Sequence, residues 1–150
     1  SKWEKIMIGG GTFSSQPLTV AAGLAMLRYL KDHSEEIYPV LDLKGEKVRK
    51  GIQEALRRSG VKATVTGIGS LFQTQFPQRE DIVLNSPQAI SQFTDIEKRE
   101  IEFRLRMISR GVHMMHGGGA LSITHTDADI QKIIDAAGEV GKEMIEGVPA

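Results

Sequence analysis

The chain predicts an α+β fold: a small, mainly antiparallel sheet covered by helices on one face. Three observations carry this. Val61, Ala63 and Val65 alternate with Lys62, Thr64 and Thr66, the period of a strand with one wet face. The run Ile130, Ile133, Ile134, Ala137, Val140, Met144 and Ile145 has helical spacing and follows Thr126, a good cap. The predicted order is helix, helix, two strands, helix, two strands, helix, with no internal repeat to suggest a barrel or solenoid.

Ile6 to Ile8 reads as a short extended lead-in. Gly9-Gly10-Gly11-Thr12-Phe13-Ser14-Ser15-Gln16-Pro17 follows and opens at once on a long apolar run. Glycines let the backbone approach a ligand closely. A helix start adds unpaired N–H groups and partial positive charge. The stretch is therefore a candidate phosphate cradle, and a tight turn feeding a buried helix is the plain alternative. It matches neither the Walker loop nor Gly-x-Gly-x-x-Gly. Pro17 suits a first helical turn, with Ser15 or Gln16 near the cap.

Pro17 to His33 is apolar almost all round: Leu18, Val20, Ala21, Leu24, Met26, Leu27, Leu30. Such a helix needs cover on every side, which predicts a partner surface outside the chain. Ser34, followed by Glu35 and Glu36, opens a second helix that runs to Arg57 and Arg58 and stops at Gly60. Pro39 falls early in it, and Gly45 is placed to break or bend it. Gly67-Ile68-Gly69 is a bend, Ser70–Phe76 the next strand, and Ile82–Leu84 a short strand before a polar connector from Asn85 to Gln92. Thr94-Asp95-Ile96-Glu97 fits a capping box, and its helix carries Ile101, Leu105 and Ile108 on one side up to Gly111. Val112–Met115 and Ala120–Thr124 are strand candidates around a flexible turn, His116–Gly119.

The length, 150 residues, suits one domain, organised as a linking part at 1–33 and an α+β part at 34–150. Lys+Arg and Asp+Glu both number 19, so a nucleic-acid binder, which shows a basic excess, is disfavoured. No apolar run approaches the roughly 20 residues of a membrane span, and without cysteine there is neither disulfide nor thiolate chemistry. The opening Ser1-Lys2-Trp3-Glu4 enters directly into Lys5-Ile6-Met7-Ile8, as though cut from inside a larger protein.

Gly10-Gly11-Thr12-Phe13-Ser14-Ser15-Gln16-Pro17-Leu18 resembles the Gly-Gly-Thr-Phe-Ser-x-x-Pro-Leu segment of class III pyridoxal-phosphate aminotransferases, nearest the glutamate-1-semialdehyde 2,1-aminomutase branch. Val65–Phe72, Arg110-Gly111-Val112 and Leu121–Ile130 are similar to further family segments, in order, so the resemblance spans almost the whole chain. It implies the C-terminal domain of a fold-type-I transferase, working in a cytoplasmic homodimer on a small-molecule amino donor or acceptor. In that family the Gly-Thr pair binds the phosphate of pyridoxal 5'-phosphate held by the neighbouring subunit, which points to Gly11 and Thr12. The Schiff-base lysine and the ring-binding residues lie upstream in the family, so the resemblance implies no catalytic residue here and no transamination by the chain alone. One departure concerns substrate. The stretch Met114–Ala120 is shorter than in the aminomutases and lacks both their glutamate and the arginine of other members. A stand-alone, non-catalytic domain used for binding or assembly is the alternative.

Other clusters read more plainly. His113, His116 and His125 lack a nearby acid or thiol to complete a metal set, so no metal site is assigned. His116 beside its glycines is a candidate substrate contact, and His125 orders the last helix start. Met7, Met26, Met107, Met114 and Met115 read as core filler. Arg99, Arg104, Arg106 and Arg110 read as a solvated helix face balanced by Glu97, Glu100 and Glu102.

Overall fold

The structure is a computed structural model and describes residues 11, 13, 15–79 and 81–147. The chain divides into two compact units, Ser1–Ile37 and Tyr38–Ala150. The lead-in at Ile6–Ile8, with Met7, lies outside the described residues.

In the first unit, Gln16 caps α1 (Pro17–Asp32), its side chain accepting the Thr19 N–H, with Pro17 in the first turn as expected. α1 ends at His33, whose ring stacks on Tyr29 at 4.1 Å and approaches the Tyr29 carbonyl at 2.9 Å. α2 (Ser34–Arg58) begins at the next residue. None of the α1 residues is buried, and Leu18 and Leu27 are 74% and 67% exposed. Met26 is exposed too, so it is not core filler.

The second unit is assembled on α2. The helix runs through Gly45 without a break, contrary to the sequence expectation. The glycine serves a close approach instead: a Cβ there would lie 1.8 Å from the Gly69 carbonyl oxygen. Arg49 Nη1 donates to the same oxygen and to the Leu71 carbonyl, both at 2.8 Å. Those carbonyls belong to the turn between β1 (Thr64–Thr66) and β2 (Leu71–Gln75), where Gly69 takes φ 56°.

The sheet is antiparallel, in the order β1-β2-β3, with Val65 opposite Thr74 and Phe72 opposite Gly119. β3 (Gly118–Ala120) lies in the stretch read from sequence as a turn, and the strand predicted over 120–124 ends at Ala120. Glycine is needed here because a Cβ at Gly118 would lie 2.2 Å from the Phe72 carbonyl. Beyond Ala120 the backbone loops out, and Lys44 holds the Ile123 and His125 carbonyls at 2.6 Å each. The predicted strand at Val112–Met115 contributes a single bridge, Met115 with Gly118. Ile82–Leu84 forms no strand, whereas the polar connector contains a short helix, α3 (Pro87–Phe93), capped by Ser86.

The next helix departs most from expectation. Asp95, not Thr94, accepts the first-turn N–H of Lys98, while the Thr94 hydroxyl donates back to Ile90 O. A π-helical stretch, Lys98–Phe103, then runs straight into α4 (Arg104–Ser109). Its wider turn rotates the face presented to the core. Arg99, Phe103, Arg106 and Met107 are buried, and the predicted apolar side is turned out, with Ile101 and Leu105 49% and 41% exposed.

α5 (Asp127–Glu146) follows the sequence reading closely. Thr126 and Asp129 form a reciprocal capping box, and Gly147 ends the helix at φ 69°. Val48, Ile52 and Leu56 of α2 pack with Ile130, Ala137 and Val140 of α5, with Phe72, Phe76, Phe103 and Met107, and with Met114 and Leu121. Met107 and Met114 are thus core filler as expected, and Met115 is exposed. Small residues bring α2 and α5 close: a Cβ at Gly51 would lie 2.2 Å from Ile134, and Ser59 Oγ donates to Gly138 O at 2.9 Å.

Gly45→Ala tests the close approach. In an exposed helix this change stabilises by about 1 kcal/mol; here the clash with the Gly69 carbonyl should instead destabilise by about 2 kcal/mol in urea unfolding. A second expectation concerns α5. Hydrogen bonds from the Thr126 hydroxyl and backbone N–H hold the Asp129 carboxyl below its ordinary range. A carboxylate whose folded pKa is depressed contributes stability above its unfolded pKa and loses it as pH falls through the folded one. Protection factors of the amides in the first turn of α5, taken against the intrinsic exchange rate at each pH, should therefore fall below about pH 4, and Thr126→Ala should cost about 1 kcal/mol at neutral pH.

Candidate functional site

Gly11 and Thr12 stand just before α1. Thr12 lies outside the described residues. Gly11 is exposed, and a Cβ built on it meets nothing within 4 Å, so crowding by the chain itself does not require glycine there. The helix start is partly self-satisfied. Pro17 has no N–H, and the Thr19 N–H is taken by Gln16 Oε1 at 3.0 Å. An outside anion would therefore depend on the loop more than on the helix end.

A second constellation lies in the other unit, and sequence reasoning missed most of it. Met115 and Gly118 exchange N–H···O bonds of 2.9 Å each, enclosing the two-residue turn His116-Gly117 with φ values of 50° and 70°. Two positive φ values make this the hairpin turn whose twist matches the sheet. Gly117 is required, because a Cβ there would lie 2.4 Å from Arg99 Cγ.

Arg99 lies buried under this turn rather than on a solvated face. It is 9% exposed, and its Nη1 donates to Gln75 Oε1 at 2.9 Å. Gln75 Nε2 donates to Gln73 Oε1 at 2.8 Å, and Gln73 Nε2 to the His116 carbonyl at 3.0 Å. A polar relay thus runs from the π-helical stretch across β2 to the hairpin tip. Glu100 closes it from outside: its carboxylate meets Arg99 Nη2 at 3.1 Å, Arg104 Nε at 3.4 Å and His116 Nδ1 at 3.3 Å. The remaining arginines also find acids, on α5: Arg106 reaches Glu143 at 3.3 Å, and Arg110 bonds Glu139 at 3.2 Å and Glu143. Of the predicted counter-charges, Glu100 pairs with Arg99 and Arg104.

His125 Nδ1 accepts the Ser122 N–H at 3.0 Å, ordering the entry to α5 as expected. Among the described residues no three His, Asp or Glu side chains come together to hold a metal, and no helix is long and apolar enough to cross a membrane. An open cleft beside α5 is lined by Arg110, Lys132, Asp135 and Glu139, two cations against two acids.

Comparison with known proteins places the chain in a family. The glutamate-1-semialdehyde 2,1-aminomutase of Persephonella marina is 30% identical over 138 residues, 90% of this chain. That of Desulfitobacterium hafniense is 32% identical over 137 residues, 89% of the chain. The chain belongs to the glutamate-1-semialdehyde aminomutase and transaminase family. Its fold agrees. An omega-transaminase from Sphaerobacter thermophilus superimposes with a TM-score of 0.67 at 28% identity over 91% of the chain, which is 30% of that protein. A β-phenylalanine aminotransferase from Variovorax paradoxus matches with a TM-score of 0.58 at 27% identity, over 70% of this chain and 24% of that one. A transaminase with PLP bound, 20% identical with a TM-score of 0.67, shares the fold. No family model matches the chain. The chain spans 31% and 30% of the length of the two aminomutases.

Gln75→Ala should leave the Arg99 guanidinium without a buried acceptor. A loss of about 2 kcal/mol in urea unfolding is expected, with faster exchange of the Gly117 and Gly118 amides.

Proposed function

We propose that the chain is the C-terminal portion of a pyridoxal-phosphate-dependent aminotransferase or aminomutase, moving an amino group on an amino acid or semialdehyde. The observation that carries this reading is the similarity to glutamate-1-semialdehyde 2,1-aminomutases over nine-tenths of the chain. In the full protein Gly11 and Thr12 hold the cofactor phosphate across a dimer interface. An exposed Gly11 with open space where a Cβ would stand suits a loop that approaches a group from outside the chain. The cofactor supplies the electron sink; this chain's part is to bind and orient the phosphate. The uncovered apolar side chains of α1 support a helix packed on a large domain or partner subunit. The hairpin stretch from Met114 to Ala120 holds no acid, which favours an aminotransferase of another amino acid over the aminomutase reaction.

Two measurements test this. The purified chain, mixed with pyridoxal phosphate and passed over a desalting column, should retain no cofactor band near ~400 nm and show no amino transfer, since the lysine that carries the cofactor belongs to the upstream part. In the protein extended upstream to its relatives' length, Thr12→Ala should weaken cofactor retention about tenfold or more, the size of a lost hydrogen bond to a charged group. Stable cofactor capture and transfer by the chain alone would overturn the reading. A well-behaved monomer without exposed apolar surface would favour the stand-alone domain.

A further inference from the structure

We propose that the outer edge of β1 is a docking groove for an extended acidic peptide, which adds a strand to the sheet. Among the described residues β1 ends the sheet, in the order β1-β2-β3. An edge strand presents backbone groups that another chain can pair with. In an antiparallel pair, opposed residues alternate between bonding each other and turning away. The Thr74 N–H goes to the Gly117 carbonyl at 3.1 Å, on the side away from β1. Val65, which stands opposite Thr74, therefore turns its own N–H away from β2. That N–H is met at 3.0 Å by Gln53 Oε1. A side-chain amide thus stands where the carbonyl of a further strand would stand. Gln53 is exposed on α2, so it can swing out without disturbing the core.

A groove of about 440 Å³ lies beside this edge. Gln53 and Arg57 line it from α2, Val61, Lys62 and Ala63 from the approach to β1, and Pro77 from beyond β2. Val61 and Ala63 belong to the packed core and give the groove an apolar part. Strand addition draws affinity from main-chain hydrogen bonds and selectivity from contacts to alternate side chains. Charge selects the occupant. Among the described residues the lining holds the cations Arg57 and Lys62 and no acid. Next to it, Arg57 and Arg58 share one carboxylate, Glu54, at 2.7 and 2.8 Å, which leaves one positive charge in excess within that trio. β1 itself, Thr-Val-Thr, carries no charge to offset it. A second copy of the chain would bring the same cations to the groove, and like charges oppose pairing. A peptide of acids beside β-branched residues meets both the excess charge and the apolar part. Gly11, Thr12 and the cofactor have no role in this site.

The test is a nuclear magnetic resonance titration of the isotope-labelled 150-residue chain with the blocked peptide acetyl-Glu-Val-Thr-Val-Glu-amide. The same peptide with every backbone amide N-methylated, and the same peptide with lysine in place of glutamate, serve as controls. The acidic peptide should move the Val65 amide and the Gln53 side-chain amide along one saturating curve, and neither control should. Gln53→Ala removes the stand-in carbonyl and should tighten binding about fivefold, the size of one displaced hydrogen bond. A side chain with a merely structural role would give no such gain. Arg57→Gln combined with Lys62→Gln should weaken binding about fivefold at low salt. Shifts that stay linear, that either control reproduces, or that Gln53→Ala leaves unchanged or weakens would overturn the groove. Sedimentation of the chain as a dimer with a protected Val65 amide would overturn the peptide as occupant in favour of a second copy. Either failure is distinct from failure of the cofactor reading, which is read at Thr12.

Discussion

The close seating of α2 against its neighbours is the constraint on which the second unit depends. At three heights the helix meets another element where no ordinary side chain fits. Gly45 lies on the Gly69 carbonyl, Gly51 on Ile134, and, just past the helix end, Gly141 of α5 lies on Ser59. Each contact removes a Cβ so that backbone or aliphatic carbon can approach to van der Waals distance, the condition for a dense interior. Between them, Val48, Ile52 and Leu56 supply the apolar face. The same helix thereby sets the place of the β1–β2 turn and of α5. Arg49 and Lys44 extend this with bonds to loop carbonyls, satisfying acceptors that α2 would otherwise shield from water.

The sheet built on this base has two unlike faces. Phe72 and Phe76 point into the core, and Phe103 meets Phe76 edge-on at 5.6 Å. On the opposite side of β2, Gln73 and Gln75 carry the relay from Arg99 to the hairpin. Burying a guanidinium is costly unless its donors are met; here Gln75 and Glu100 meet them. The π-helical turn is what brings Arg99 under the hairpin while keeping Phe103 in the core. A change at Gln75 or Arg99 is therefore transmitted to the backbone of His116.

The first unit follows another logic. α1 is a well-capped helix with an apolar surface left open. In proteins most helical stability comes from packing an apolar face, which α1 does not do within this chain. The chain spans about three-tenths of its relatives' length.

Sequence by itself determined the elements whose signals are local. The Thr126 cap with its first-turn acids, the β1–β2 strand pair with its glycine bend and the Gln16–Pro17 helix start were all legible, because caps and turns are made by neighbours in the chain. The family resemblance was legible in ordered motifs for the same reason. Gly11 and Thr12 came from that resemblance, not from spacing. What only the tertiary structure decided are the places where a distant contact overrides a local rule. Gly45 continues its helix because the Gly69 carbonyl fills the space of its side chain. Gly118 and Gly119 form a strand because Phe72 lies against them. The Ile101–Leu105 stripe faces out because one π-helical turn rotates the helix and gives the inner face to Arg99 and Phe103. Periodicity assumes a regular turn, and a helix pinned at Gln75 from across the sheet does not keep one.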